Sequence, residues 1–155
     1  MAIQLSTGKV KIELIFDNDE KDYIYFNPND PDLYVRMTHF QENLENYLKN
    51  IEDVELDENG NPKENSAIEK YKNFREKLYE ELDKAFDSKI SHIVFKKSSP
   101  FAIINGDYFI MQFVEGIIPE IQKHQAQATE EAKKKMAKHL EKYRKWCGIC
   151  LCPLK

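Results

Sequence analysis

The stretch KVKIELIFDNDEKDYIYFNPNDPDLYVRMTHF, residues 9–40, contains the change of hydrophobic rhythm on which the fold turns. Val10, Ile12, Leu14 and Phe16 alternate with Lys11, Glu13 and Ile15, and after the polar run from Asp17 to Asp22 come Tyr23, Ile24, Tyr25 and Phe26. A period of two residues belongs to half-buried strands, so residues 9–26 predict an amphipathic β-hairpin with a loop longer than the tightest turns. An isolated hairpin is only marginally stable in water, so its apolar face must lie on helices or meet another chain. Its edges therefore also offer surfaces for self-association.

At Asn27-Pro28-Asn29-Asp30-Pro31 the rhythm changes, because Asp30 suits a helix cap and Pro31 the first helical position. Leu33, Met37, Phe40, Leu44, Tyr47 and Ile51 then recur at spacings of three and four, which predicts a helix over 31–51. The acidic run 52–65, with Asn59, Gly60, Asn61 and Pro62 inside it, predicts an exposed, mobile loop. Ser66 and Glu69 form a capping-box pattern ahead of Ile68, Tyr71, Phe74, Leu78, Leu82 and Phe86, which predicts a helix over 66–86. Asp87 and Ser88 are expected to end that helix and to cap a short one within Lys89 to Phe95.

Residues 101–121, FAIINGDYFIMQFVEGIIPEI, support two readings. Asn105-Gly106 between apolar runs signals a hairpin. Phe101, Ile104, Tyr108, Met111, Val114 and Ile118 instead follow helical spacing behind Pro100. The helical alternative is preferred, giving a buried helix over 100–118. Beyond Pro119, a run rich in Ala, Glu, Lys and Gln predicts a long helix over 120–145 with a thin stripe of Ile121, Ala128, Ala132, Met136, Leu140 and Tyr143. The expected fold is α+β and mostly helical, an N-terminal β-hairpin packed on a bundle of about four helices. Residues 1–145 form one domain in this reading, and 146–155 a flexible cysteine-containing tail. Leu14, Phe16, Phe40, Leu44, Leu78, Leu82, Tyr108, Met111 and Ile118 are its expected core.

With 41% hydrophobic and 32% charged residues, the chain is too apolar to be disordered and too charged to live in a bilayer. The opening MAIQLSTGKVKIEL lacks the apolar core of a secretory signal, so a cytoplasmic setting is expected. Phe101 to Ile121 is interrupted by polar residues and glycines, which excludes a spanning helix and a membrane role. Through residue 95 there are 12 Lys and Arg against 21 Asp and Glu; from residue 96 the balance reverses to 11 against 6.

Catalytic chemistry finds little to use. The phosphate, dinucleotide, acyl-transfer and zinc-protease motifs are all missing. His39, His92, His124 and His139 lie far apart, without a nucleophile or carboxylate partner that the sequence nominates, so structural or surface roles are expected. Cys147, Cys150 and Cys152, with His139, would make a Cys3His zinc set on paper, but the spacing fits no familiar finger. A reduced, frayed tail is expected instead, with no cofactor and no metal. Nucleic acid is a poor fit, because the basic cluster Lys133 to Lys145 is interleaved with Glu130, Glu131 and Glu141. A protein without enzymatic activity that binds other proteins is the expectation.

Taken in order, the hairpin KVKIELIF…YIYF, the N-P-N-D-P entry, two amphipathic helices around a polar loop, D-S-K-I-S-H-I-V-F, and an apolar helix with a charged helical tail resemble the tail assembly chaperones of siphophages and prophages of Gram-positive bacteria. The resemblance covers roughly residues 9–145 and lies in the succession of elements; where that family usually has a glycine-rich turn, this chain has Asp87-Ser88-Lys89-Ile90-Ser91. The resemblance implies binding to tape measure or tail tube proteins in the host bacterial cytoplasm, and the Lys133-Lys134-Lys135 run is compatible with the frameshifted longer products some members have. A competing expectation is a small acidic phage or mobile-element regulator that inhibits a host defence protein through Glu52, Asp53, Glu55, Asp57, Glu58 and Glu64. A zinc-binding module is the third.

Overall fold

The structure, a computed structural model, describes residues 1–52, 58–59 and 65–147. Strands β1 (Val10–Ile15) and β2 (Lys21–Phe26) form the expected antiparallel hairpin, with Val10 opposite Phe26 and Ile12 opposite Ile24. The loop closes through the Phe16 N–H donating to the Glu20 carbonyl at 2.7 Å. Asn18 and Asp19 both adopt a φ of 60°, a left-handed backbone that short polar side chains tolerate best after glycine. Alternation turns Ile12, Leu14, Ile24 and Phe26 to one face, where Ile24 and Phe26 are fully buried.

Helix α1 (Pro31–Glu52) begins as its sequence predicts. Asp30 Oδ1 accepts from the Asp32 N–H at 3.0 Å, and Asp30 Oδ2 takes the Arg36 guanidinium at 3.0 Å. That guanidinium, followed by the backbone donor, holds the Asp30 carboxyl below its ordinary pKa. Leu33, Met37, Phe40 and Leu44 form the buried stripe of α1, and Leu78, Leu82, Ala85 and Phe86 that of α2 (Asn65–Phe86). Arg36 also donates to the Ala85 carbonyl at 2.8 Å, supplying a partner to a carbonyl that the end of α2 leaves without one. Phe26 meets Phe86 edge-on at 4.9 Å, so the hairpin is anchored where α2 ends.

Asp87, at φ 49°, occupies the left-handed position that terminates α2. The one-turn helix α3 (Ser91–Val94) follows, but its cap is neither Asp87 nor Ser88. Asp83, one turn back inside α2, accepts from the Ile90 and Ser91 amides at 2.9 and 2.8 Å and from Ser91 Oγ at 3.0 Å.

The helix expected over 100–118 is corrected. Strands β3 (Ile103–Ile104) and β4 (Asp107–Tyr108) form a second, minimal hairpin, with Asn105 at φ 55° and Gly106 at φ 88°. Two successive left-handed residues make the tight turn that Asn-Gly favours, and this local chemistry overrides the helical spacing. Helix α4 (Phe109–Cys147) starts only afterwards, its first amides bonded to the carbonyls of Ala102 and Pro100 at 2.8 and 2.9 Å.

The break expected at Pro119 is also corrected, since α4 runs straight through it. Proline removes one bond, that to the Glu115 carbonyl, and both residues lie on the exposed side, where water replaces the lost donor. The core-facing stripe of α4 is Ile110, Val114, Ile117 and Ile121. Of the expected core, Phe40, Leu44, Leu78 and Leu82 are buried, whereas Leu14, Phe16, Tyr108, Met111 and Ile118 are only partly so. The last two fall at the edge because the buried stripe of α4 is phased one residue earlier. The architecture is α+β and mostly helical, with four helices and the N-terminal hairpin among the described residues.

Of the loop expected at 52–65, Glu52 ends α1, Asn65 begins α2, and Glu58 and Asn59 form an exposed turn; residues 53–57 and 60–64, like the Ser66 side chain of the capping-box pattern and the tail after Cys147, lie outside the described residues.

Candidate functional site

Helix α4 divides into two halves of different character. The inner half is held to the body by Ile110, Val114, Ile117 and Ile121, and last by Gln125, whose side-chain amide donates to the Pro28 carbonyl at 3.0 Å. From residue 126 to residue 144 every side chain is exposed except Ala128, which is half-buried. Its many Ala, Glu, Lys and Gln residues favour helix, although in folded proteins packing normally supplies most of a helix's stability.

Met136, Leu140 and Tyr143 are 61%, 56% and 68% exposed on this outer half. At about 100° per residue they share an arc of about 60°, a seam as narrow as those that pair helices with one another. Lys133 and Arg144 flank the seam beside Leu140, and Ala132 and His139 flank it beside Tyr143. Further round, Glu130 and Glu141 on the one side stand as far from the seam as Lys135 and Lys142 on the other, with Glu131 next to Lys142. Outside the apolar seam, charge of both signs stays interleaved around the helix.

Two apolar grooves lie on the body. One, of about 270 Å³, runs between β1 and α4, lined by Ile12, Leu14, Phe16, Phe113 and Ile117. Among the described residues the hairpin sheet has two strands, and none of them pairs with the outer edge of β1 beside this groove. Gly116 also lines it, and a Cβ there would meet nothing within 4 Å. The other groove, also about 270 Å³, lies between α1 and α4, where Leu33, Met37, Ile118 and Ile121 form the floor and exposed Tyr34 the rim. Both are hydrophobic recesses suited to side chains of a partner.

Next to the first groove, Lys96 donates to Asp22 at 2.8 Å and to Glu20 at 3.1 Å, while Lys97 reaches Glu20 at 2.7 Å. The bonds to Asp22 and then Glu20 raise the pKa of Lys96; Lys97, then Lys96, lower that of Glu20, and Lys96, then the Tyr23 amide, lower that of Asp22. The cluster clamps the hairpin loop to the segment after α3, and its groups all have partners.

The sequence-nominated chemical residues do not converge. His39 is exposed, 3.6 Å from Glu42; His92 is exposed and lies edge-on to Tyr79; His124 is half-buried on α4; and His139 is exposed on its outer half. Cys147 closes α4 but its side chain, with Cys150 and Cys152, lies outside the described residues. Among the described residues no three His, Cys, Asp or Glu side chains gather as metal ligands, and no helix is long and apolar enough to cross a membrane. Of the acidic set proposed for an inhibitor, only Glu58 has a described side chain, exposed in its turn.

No family model matches the chain, and no curated protein and no solved structure matches it either.

Proposed function

We propose that this chain is a non-enzymatic binding protein, a tail assembly chaperone that holds tape measure or tail tube subunits until they are built into a phage tail. The single observation that carries the binding role is the outer half of α4, which presents Met136, Leu140 and Tyr143 to water on a helix its own body leaves uncovered. A helix of this kind is a ready element for helix-on-helix recognition, and the two apolar grooves on the body offer further contact area. Assignment to tail assembly rests on the resemblance of element order, from the KVKIELIF…YIYF hairpin to the charged helical tail. The partners are other proteins, met in the cytoplasm of a host bacterium.

Co-expression tests the proposal. A tagged full-length chain is produced with the tape measure and tail tube proteins encoded beside its gene. The expected result is a soluble complex with one of them, in which the partner is insoluble when produced alone. Partners equally soluble without the chain, and absent from its eluate, would refute the assignment.

A further inference from the structure

We infer that residues 1–8 are an exchange arm: the arm of one copy adds as a further strand to the outer edge of β1 in a second copy, with Ile3 and Leu5 seated over the apolar groove beside α4. Two features of one chain fit each other here. Every residue of the arm is exposed, and Ile3 and Leu5, at 85% and 82%, stand further out in water than any other large apolar side chain described except Met1. Their period of two suits a half-buried strand, and none of the eight residues has a charged side chain. The outer edge of β1 lacks such a strand. Because the Phe16 N–H donates across to Glu20, alternation turns the main-chain groups of Ile12 and Leu14 toward β2 and those of Lys11, Glu13 and Ile15 outward, where no described backbone group bonds to them. Ile12 and Leu14 line the groove with Phe113 and Ile117, and both are only half-buried.

Register selects the arm as occupant. An antiparallel pairing that sets Ile3 against Leu14 and Leu5 against Ile12 also sets Thr7 against Val10 on the groove side and, on the outer side, Ala2 against the exposed Ile15. Gln4 and Ser6 then fall opposite Glu13 and Lys11, polar against charged, and their main-chain groups supply the missing partners. A slip of one residue would set Ile3 and Leu5 against those charges. The pairing is reciprocal: with a two-fold axis between Gly8 and Lys9, each copy gives its arm and receives the other's, and the assembly closes as a dimer. An arm does not lie toward its own edge. Gly8, at φ 69°, leans on the Asn27 side chain, where a Cβ would come within 3.2 Å, and Asn27 follows β2 on the other side of β1. The groove between α1 and α4 is a poorer seat, since helices offer no main-chain partners and an extended segment would bury its amides unbonded. Six paired residues span about 20 Å. Two such additions lie at the low end of the roughly 1,200–2,000 Å² of stable interfaces, so the dimer is reversible. The inference uses no part of the outer half of α4 and stands apart from the tail-assembly reading above.

The test follows the full-length chain by sedimentation velocity from micromolar to millimolar concentration, under reducing agent so that its cysteines play no part, with amide hydrogen exchange at both ends of the range. The expected result is a monomer that passes to a dimer as concentration rises. The amides of Lys11, Glu13 and Ile15 should gain protection only in the dimer, while those of Ile12 and Leu14, turned toward β2, are protected throughout. Leu5→Asp and, separately, Ile3→Asp should each weaken the dimer at least about tenfold, because either would put a charge under the sheet. Both positions are exposed in the single chain, so an unchanged melting temperature at low concentration serves as the control for folding. A chain that stays monomeric at every concentration overturns the inference, as does a dimer that Leu5→Asp leaves intact or that Leu140→Ser dissolves. Protection of the three outward amides in the monomer overturns it as well, since the arm then folds back on its own edge.

Discussion

Asp83 holds Ser91 from a different helix: its Oδ2 accepts the Ser91 hydroxyl at 3.0 Å, while its Oδ1 takes the Ser91 amide at 2.8 Å. Ser91 is fully buried, so its hydroxyl and amide have no water to fall back on. One carboxylate therefore both caps α3 and fixes its angle to α2. Asp83→Ala should cost about 1–3 kcal/mol, the range for leaving a buried polar group without a partner. Asp83→Asn, which keeps one acceptor, should cost less. Urea titration monitored by tyrosine fluorescence gives both values, and a neutral Asp83→Ala would show that α3 holds without its cap.

Acid should loosen the hairpin before the rest of the body. Glu20 and Asp22 have folded-state pKa values below their ordinary 4.5 and 3.8, so the stability they contribute is fully present above those values and lost as pH falls through the lowered ones. Glu20 is exposed and Asp22 half-buried, which keeps the effect modest and sensitive to salt. The expected observation is that Lys96→Met flattens the acid limb of the melting temperature against pH. An unchanged slope below pH 4.5 would remove Lys96 from the account.

Gly116 weakens α4 with no return from within the chain, because a Cβ there meets nothing within 4 Å. Gly116→Ala should therefore stabilise the protein by about 0.5–1 kcal/mol, the usual helix-interior difference. Calorimetry decides the sign. A loss of stability would mean that the groove beside β1 closes on Gly116 in solution.

Two leucines on helices of the same protein should behave in opposite ways. Leu82 is fully buried and Leu140 is 56% exposed. Leu82→Ala should cost about 2–5 kcal/mol, through lost transfer energy and the cavity left behind. Leu140→Ser should change stability by no more than about 0.5 kcal/mol. Equal losses would place the outer half of α4 against the body.

What the sequence made legible were the elements whose periodicity nothing contradicts. The hairpin alternation from Val10 to Phe26 and the stripe from Leu33 to Leu44 are long, and each ends in unambiguous punctuation at Asn27 to Pro31 or an acidic loop. The reading failed at 101–108, where helical spacing and Asn-Gly turn chemistry compete over the same eight residues. Two left-handed residues decided the contest, and phasing the next helix from Phe101 and Tyr108 then displaced its buried stripe by one residue. Pro119 was overvalued as a terminator because its cost depends on whether the orphaned carbonyl is buried, and here Glu115 and Pro119 both lie on the exposed side. At the candidate site, composition revealed a sparse helix. The grouping of Met136, Leu140 and Tyr143 into one exposed seam exists only once the chain is wound.

The exposed outer half of α4 will also distort how large this protein looks to a denaturant. Both the m-value and the heat-capacity change of unfolding scale with surface newly exposed, and residues 126–144 are already in contact with solvent. Unfolding should thus report a chain shorter than 155 residues. Far-UV dichroism counts every helical residue, whereas near-UV dichroism counts packed aromatics such as Phe26, Tyr79 and Phe86. The outer helix frays first, so the far-UV curve should depart before the near-UV curve. Noncoincident transitions, ordinarily the mark of a populated intermediate, would here arise while the core itself unfolds in a single step.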